Sequence, residues 1–302
     1  MLCFERLDAV PAVVSHCALD LLREGGVGEV IMVNSAGIYL EIKDRIVLLC
    51  DRSWGAVPVG IAVEDLAGWA RKLKIEQGQK VKFCEKSIVF SGRTLNIAPT
   101  LPTMDRTDHG KPQTRLIKKA AEDLVELNKE RGISMLVLPL VLGDDERDVA
   151  LINPYCARAL PLLLRLADAM ISYSMRDIRD CVDLLLGLGT GLTPSADDVM
   201  LGMLYAFRKL GGEAPRSLDI FRVSILDMCD THTVKVSAAY LKSVIDGDYF
   251  ERIERVWQGM CGAEPFDASP LLEIGSSSGS EMLLGMLLAL KISGYSITKK
   301  II

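Results

Sequence analysis

The stretch "GEVIMVNSAGIYLEIKDRIVLLCDRS", residues 28–53, decides half of the fold. Its apolar runs are short and β-branched, and they are broken at Asn34-Ser35-Ala36-Gly37 and at Lys43-Asp44-Arg45. Polar, turn-forming breaks between such runs are hairpin signals. Downstream, "QKVKFCEKSIVFSGRTLNIAP" (79–99) repeats the pattern, with turns expected near Glu85-Lys86 and Ser91-Gly92. Helices are expected at 11–24 and at 62–74. Residues 1–105 therefore read as a small β-rich domain, either barrel-like or a curled sheet.

Composition changes across "APTLPTMDRTDHGKPQ" (98–113), where three prolines, a glycine and several polar residues mark a linker. Beyond it apolar residues recur at helical spacing, first in "QTRLIKKAAEDLVELNKERG" (113–132), which ends on Gly132 as a C-cap. Helices are also expected at 154–172, 175–186, 194–210, 216–229, 231–246, 249–260 and 279–293. The fold class is α+β: a β-rich N-terminal domain followed by a larger all-α domain over residues 106–302.

Of the 302 residues, 49% are hydrophobic and 25% charged, the balance of a chain that buries a core. A net charge of −5 and the lack of a Lys/Arg cluster argue against nucleic acid as the partner. A local site can still be positive on an acidic protein, so a small anionic ligand fits. The eight cysteines are scattered without a C-x-x-C pair, which suits buried, reduced thiols. "MLCFERLDAV" lacks the order of a signal peptide, and the longest apolar runs (135–143 and 282–290) are too short to span a bilayer. A cytoplasmic protein with no membrane partner is the expectation.

The chemistry concentrates in "GLGTGLTPSADD" (187–198). Gly187, Gly189 and Gly191 alternate around Thr190, so the backbone can expose N–H groups unshielded by side chains. Thr193 is expected to cap a helix with Pro194 at its first position, which aims the positive helix end at the loop and favours an anion there. The Gly-Lys-Ser/Thr ending of a nucleotide-binding loop is absent, and so is the third glycine of a dinucleotide fingerprint. Asp197 and Asp198 would repel a phosphate in that place. They either cap the helix, or hold Mg²⁺ or a basic side chain that bridges to an anion.

Two further stretches join this one. "EIGSSSGSEMLLG" (273–285) gathers Ser276, Ser277 and Ser278 before Gly279 at a helix start, hydroxyls suited to carboxylate, amide or phosphate oxygens. "CDTHTVKVSAAYLKSVIDGDY" (229–249) places Thr231, His232 and Thr233 at what reads as a helix start, with Val234, Ala238 and Leu241 facing inward. His232 there could orient a ligand or act as acid or base near neutral pH, and a capping role is the plain alternative. The other histidines, His16 and His109, complete neither a metal triad nor a catalytic one.

An internal echo links the loops. "SADDVMLGMLYA" (195–206) lies on "SGSEMLLGMLLA" (278–289) without a gap, matching Ser195 to Ser278, Gly202 to Gly285 and Asp198 to Glu281. Leu/Met/Gly helices also align by chance. The sharper reading is two similar loop-to-helix units facing each other, with the two helical glycines marking close packing.

The strings "GLGTGLTPSADD" (187–198), "THTVKVSAAYL" (231–241) and "IGSSSGSEMLLG" (274–285) resemble the AllH-type family, which includes the small subunit of the oxamate carbamoyltransferase of anaerobic allantoin breakdown. Ala196 departs from the glycine usual there. The resemblance implies a subunit of a multi-subunit enzyme that moves a carbamoyl group between carbamoyl phosphate and oxamate, in an oligomer with companion carbamoyltransferase subunits. The expected ligand is carbamoyl phosphate or a small carboxylate or amide, held at Gly187, Gly189, Thr190, Gly191, Thr193, Ser195, Thr231, Thr233, Ser276, Ser277, Ser278 and Gly279. His232, Asp197 and Asp198 are the candidate catalytic groups. No cofactor is expected, with Mg²⁺ the candidate should Asp197 and Asp198 hold a metal. Two other readings stand beside this one: a non-catalytic scaffold or ligand-sensing subunit, and a stand-alone Mg²⁺-dependent all-α hydrolase using Asp197, Asp198 and Glu281.

Overall fold

The computed structural model describes residues 9–102, 110–127, 132–143 and 153–297. The chain forms two compact units, Met1–Arg106 with Gly247–Glu251, and Thr107–Asp246 with Arg252–Ile302. His109 and the end of the 113–132 segment before Gly132 lie outside the described residues.

The first unit is a closed eight-stranded barrel, the tighter of the two forms expected. Strands β1 (Val10–Val14), β2 (Gly26–Asn34), β3 (Gly37–Ile42), β4 (Arg45–Asp51), β5 (Gly60–Val63), β6 (Lys80–Cys84), β7 (Ser87–Phe90) and β8 (Arg93–Thr100) run in the order β1-β5-β4-β3-β2-β6-β7-β8. β8 closes on β1 in parallel, with Val10 opposite Ile97 and Val13 opposite Thr100. Hairpins turn at the expected places, between β2 and β3, β3 and β4, β6 and β7, and β7 and β8. Leu40, Val47, Leu49, Ile61, Phe83, Phe90 and Leu95 fill the barrel core.

The helix expected at 11–24 is two elements. Val10–Val14 is strand, and only His16–Glu24 is helix (α1), entered through Ser15, whose Oγ accepts from the Ala18 N–H. Pairing with both β5 and β8 fixes Val10–Val14 as the closing strand, a long-range gain that outweighs the run's apolar continuity with the helix. The second helix, α2, spans Leu66–Leu73.

The helical unit carries α3 (Thr114–Leu127), α4 (Pro154–Ser172), α5 (Met175–Leu185), α6 (Ser195–Leu210), α7 (Leu218–His232), α8 (Lys235–Asp246), α9 (Glu251–Cys261), α10 (Ser269–Leu272) and α11 (Ser278–Ile292). The apolar run at 135–143 coils into a short π-helix, Leu138–Leu142. Two helices make the centre. Residues 195–207 of α6 and 279–290 of α11 are buried on every side, the mark of core helices.

These two helices run side by side in the same direction, starts together. A Cβ on Gly202 would fall 2.0 Å from the Met282 carbonyl oxygen, and one on Gly285 would fall 2.0 Å from the Val199 carbonyl oxygen. Met282 and Val199 are themselves matched in the sequence echo. The contacts are thus reciprocal: each glycine admits the backbone of the other helix at the equivalent turn. Glycine costs a helix about 1 kcal/mol relative to alanine, and the close approach is what that cost makes room for.

Among the described residues no helix is long and apolar enough to cross a membrane. Cys50, Cys156, Cys181 and Cys229 are buried thiols, and burial pushes Cys50 up to about 12 and Cys156 to about 11, so neither is a thiolate nucleophile at neutral pH.

Candidate functional site

The two loops meet. Thr193 Oγ1 lies 3.0 Å from Ser278 Oγ, joining the glycine loop that feeds α6 to the serine loop that feeds α11. Because both helices start here, both positive ends converge on one place. Thr190, Gly191 and Ser276 are exposed, while Thr193, Ser277 and Ser278 are half-buried.

The helix starts one residue later than expected. Pro194, not Thr193, is the N-cap of α6, and its carbonyl accepts from the Asp197 N–H at 2.9 Å. Proline in that position fixes the extended entry, and the Thr193 hydroxyl is free to bond Ser278 instead. Ala196 is buried, and its N–H goes to the Leu188 carbonyl at 3.0 Å, so the loop folds back on the helix it starts.

The two aspartates turn inward to separate partners. Asp197 Oδ1 accepts the Gly187 N–H at 2.8 Å, and its Oδ2 accepts from Ser237 Oγ at 2.6 Å and from Thr233 Oγ1. This carboxylate stands where an external anion was expected, clamping the glycine loop to α8. Gly187 is bound there by its positive φ and by the His232 carbonyl, which a Cβ would strike. Burial raises the Asp197 carboxyl above the usual range, and its three donors pull it back down.

Asp198 is completely buried beside Glu281, its match in the echo. The nearby hydroxyls of Ser278 and Thr193 pull the Asp198 carboxyl back down, and those of Ser195 and Ser277 do the same for Glu281. The influence is reciprocal, since Ser278 of α11 acts on the acid of α6 and Ser195 of α6 acts on the acid of α11. Glu281 also accepts the Ile133 N–H at 3.0 Å. Burial and mutual repulsion push Asp198 well above the ordinary carboxylate range, and burial raises Glu281. No group of three or more His, Cys, Asp or Glu among the described residues could hold a metal ion.

Thr231 and His232 lie at the end of α7, not at the start of a helix. The chain needs Thr233-Val234 as an extended break before α8 begins at Lys235, so the Thr-His-Thr string faces carbonyls rather than free N–H groups. His232 Nδ1 lies 3.1 Å from the Met228 carbonyl oxygen and 2.8 Å from Thr231 Oγ1, and Nε2 lies 2.8 Å from Asp183 Oδ1 on the exposed surface. Both ring nitrogens have protein partners. Thr233 belongs to the Asp197 cluster. Val234, expected inward, is exposed, whereas Ala238 and Leu241 are buried. His16, on the barrel unit, pairs through Nδ1 with Asp248 at 2.9 Å.

In the serine loop Ser277 is the N-cap residue of α11 and donates to Glu281 Oε2 at 3.2 Å. Gly279 is buried against the Leu271 carbonyl, and its N–H goes to the Ile274 carbonyl, so it supports the loop from below. Residues 185–290 match the family model described as oxamate carbamoyltransferase subunit AllH. Over this segment the chain is similar to the AllH family. The matched span runs from the end of α5 to the last turns of α11, and it contains both loops, the Asp197 cluster and the Asp198–Glu281 pair. No solved structure matches the chain.

Sequence reasoning missed Ser237 and the Gly132–Ile133 backbone. A Cβ on Gly132 would collide with the Glu281 carboxyl, and Asn153 Nδ2 holds the Gly132 carbonyl at 2.7 Å. Ser237, four residues after Thr233, was the one signal available. A cavity of about 690 Å³ is lined by Met170, Ile171, Tyr173, Pro215, Arg216 and Ile292, none of which belongs to either loop.

Proposed function

We propose that this chain serves as a carbamoyltransferase subunit that holds a small anionic ligand, carbamoyl phosphate or a small carboxylate or amide such as oxamate, at the paired starts of α6 and α11. Companion subunits complete the enzyme, in a cytoplasmic oligomer. The observation that carries the reading is the 3.0 Å approach of Thr193 Oγ1 to Ser278 Oγ within the AllH-matched segment. Two helix starts and two hydroxyl-bearing loops converge there, and loop amides at converging helix ends favour anionic oxygen.

Carbamoyl transfer asks the protein to hold phosphate, to polarise a carbonyl oxygen and to align the acceptor, with little covalent help. Exposed Thr190, Gly191 and Ser276 give the ligand access, and Thr193 and Ser278 give it polar partners. A Thr193→Ala, Ser278→Ala double variant, assembled with the companion subunits, is expected to lose about a hundredfold in kcat/KM, the scale of a lost transition-state donor. Full activity of that variant overturns the reading.

A scaffold or sensing role is the second reading, and one observation favours it: two acids at the site, Asp197 and Glu281, bond to the chain's own groups. Thermal stabilisation separates the alternatives. Stabilisation by carbamoyl phosphate or oxamate without metal supports ligand binding, and stabilisation by neither supports the scaffold. Stabilisation only with Mg²⁺ supports a metal-dependent hydrolase.

A further inference from the structure

One carboxylate ties together three segments around the glycine loop. Asp197 stands in the first turn of α6 and is only 1% exposed. Its Oδ1 accepts the Gly187 N–H at 2.8 Å, where the loop leaves α5. Its Oδ2 accepts from Ser237 Oγ at 2.6 Å, in the first turn of α8, and from the Thr233 hydroxyl in the extended break before it. Gly187 is seated on the end of α7 as well, since a Cβ there would fall 2.3 Å from the His232 carbonyl oxygen.

The middle of the loop has no such ties. From Gly189 to Thr193 no backbone N–H has a hydrogen-bond partner among the described residues. Backbone N–H groups are obligatory donors, so a run of them without protein acceptors faces water or a ligand. A stretch of alternating glycines does not hold one form by itself, because each glycine is free to take many others. The shape is imposed from the two ends. One tie is the Gly187–Asp197 bond, and the other is the Ala196 N–H on the Leu188 carbonyl at 3.0 Å. Between them Gly189 crosses so close to α6 that a Cβ would fall 2.2 Å from the Ser195 nitrogen.

We propose that Asp197 is a positioning residue, which sets the 187–193 loop in its ligand-binding form through the Gly187 N–H and is itself braced by Thr233 and Ser237. An acid, a base or a metal ligand has to meet the reacting atoms. Asp197 is buried, and both of its oxygens are engaged by the chain. The ligand meets instead the loop amides whose places the carboxylate fixes. The break between α7 and α8 thereby belongs to the site without touching the ligand, because Thr233 and Ser237 reach the loop through one shared carboxylate. This role rests on the reading of the paired loops as the ligand site.

The test compares Asp197→Asn with Asp197→Ala in the full chain assembled with its companion subunits, well below the Tm of each variant. Asparagine keeps an acceptor for the Gly187 N–H, and the Thr233 and Ser237 hydroxyls can turn to accept from its NH2. Alanine keeps neither. Asp197→Ala is expected to lose about a hundredfold in kcat/KM for carbamoyl transfer from carbamoyl phosphate to oxamate, the scale of a displaced binding group. Asp197→Asn is expected to stay within about tenfold of the wild type, the worth of one hydrogen bond. A loss as deep in Asp197→Asn as in Asp197→Ala overturns the inference and makes the carboxylate itself the catalytic group. Should Asp197→Ala fail to fold, Ser237→Ala removes one brace and is expected to lose about two- to tenfold. No loss in Ser237→Ala overturns the inference. Amide exchange at Gly187 needs no ligand, and it should quicken in Asp197→Ala and not in Asp197→Asn. If the wild type binds carbamoyl phosphate or oxamate and Gly187 exchanges equally in wild type and Asp197→Ala, only this inference falls. If the wild type binds neither, the ligand site falls and the positioning role with it.

Discussion

Helix α6 opens with Asp197 and Asp198 where α11 opens with Ser280 and Glu281. The inner acids are equivalent, each buried and each held down from a higher pKa in part by a serine of the other helix. The outer positions differ. Asp197 ties the glycine loop to Thr233 and Ser237, while its counterpart Ser280 is a buried, uncharged hydroxyl. Both units therefore share the packing device and the acid, and only the first spends a second carboxylate on bolting its loop in place. The serine loop is held instead through Ser277, Glu281 and Ile133.

The glycine contacts offer the largest way to break this likeness. Gly202→Ala and Gly285→Ala each drive a methyl into the partner backbone, and helix preference for alanine returns only about 1 kcal/mol. Each is expected to cost about 3 kcal/mol or more, the upper end of overpacking. For a unit of this size that lowers Tm by about 6–12 °C. Equal losses in the two variants support the reciprocal packing, and a loss confined to one would show the second contact to be loose.

The outer pair comes next. Asp197→Ala leaves the Gly187 N–H and two hydroxyls without their acceptor in a buried place, a cost of about 1–3 kcal/mol. Ser280→Ala should cost less than about 1 kcal/mol, the scale of one ordinary hydrogen bond. Hydrogen exchange at Gly187 checks the mechanism: it should quicken in the first variant and stay unchanged in the second. Matching losses would erase the difference between the units.

How much of this was legible follows from the reach of each signal. Hairpins at Asn34–Gly37 and Lys43–Arg45 announce themselves because turn chemistry and alternation are local. Strand β1 was not legible, since Val10–Val14 takes its identity from β5 and β8 far along the chain. The echo of 195–206 in 278–289 did point to helices that meet. It could not tell which way Asp197 and Asp198 turn, because that depends on Ser237, Thr233 and Glu281 arriving from elsewhere. Thr231 and His232 misled for a related reason: capping residues suit either end of a helix, and only the break at Thr233-Val234 assigns them to the end of α7.

The inner acids carry a smaller, pH-dependent effect. Folding raises both carboxyls, so the folded chain holds protons there that the unfolded chain releases. Their contribution to stability is complete below the ordinary carboxylate range and is lost as pH rises through the raised folded values. Each unit of upward shift amounts to about 1.4 kcal/mol. Thermal denaturation from pH 4 to 8, values on the order of the reference range, should show the wild type losing ground steadily to Asp198→Asn. Glu281→Gln should show a weaker form of the same trend, since Glu281 keeps a backbone donor. Parallel pH curves for wild type and Asp198→Asn would remove the buried acid from the account.

The smallest effect separates neighbours in one string. Thr233 gives its hydroxyl to Asp197, inside the clamp, whereas His232 pairs with Asp183 at the surface, with both side chains more than a third exposed. An exposed pair of this kind contributes about 0.2–1 kcal/mol. His232→Ala should therefore move stability by no more than about 0.5 kcal/mol, within the range of ordinary surface changes. Thr233→Val keeps the shape, removes one donor from a buried carboxylate and should cost about 1–2 kcal/mol. A double-mutant cycle with Asp197→Asn makes the contrast sharper, because coupling is expected for Thr233 and near zero for His232. Coupling of His232 to Asp197 would mean that the end of α7 reaches the glycine loop through the His232 carbonyl beside Gly187, and the clamp would then extend one residue further than its hydrogen bonds.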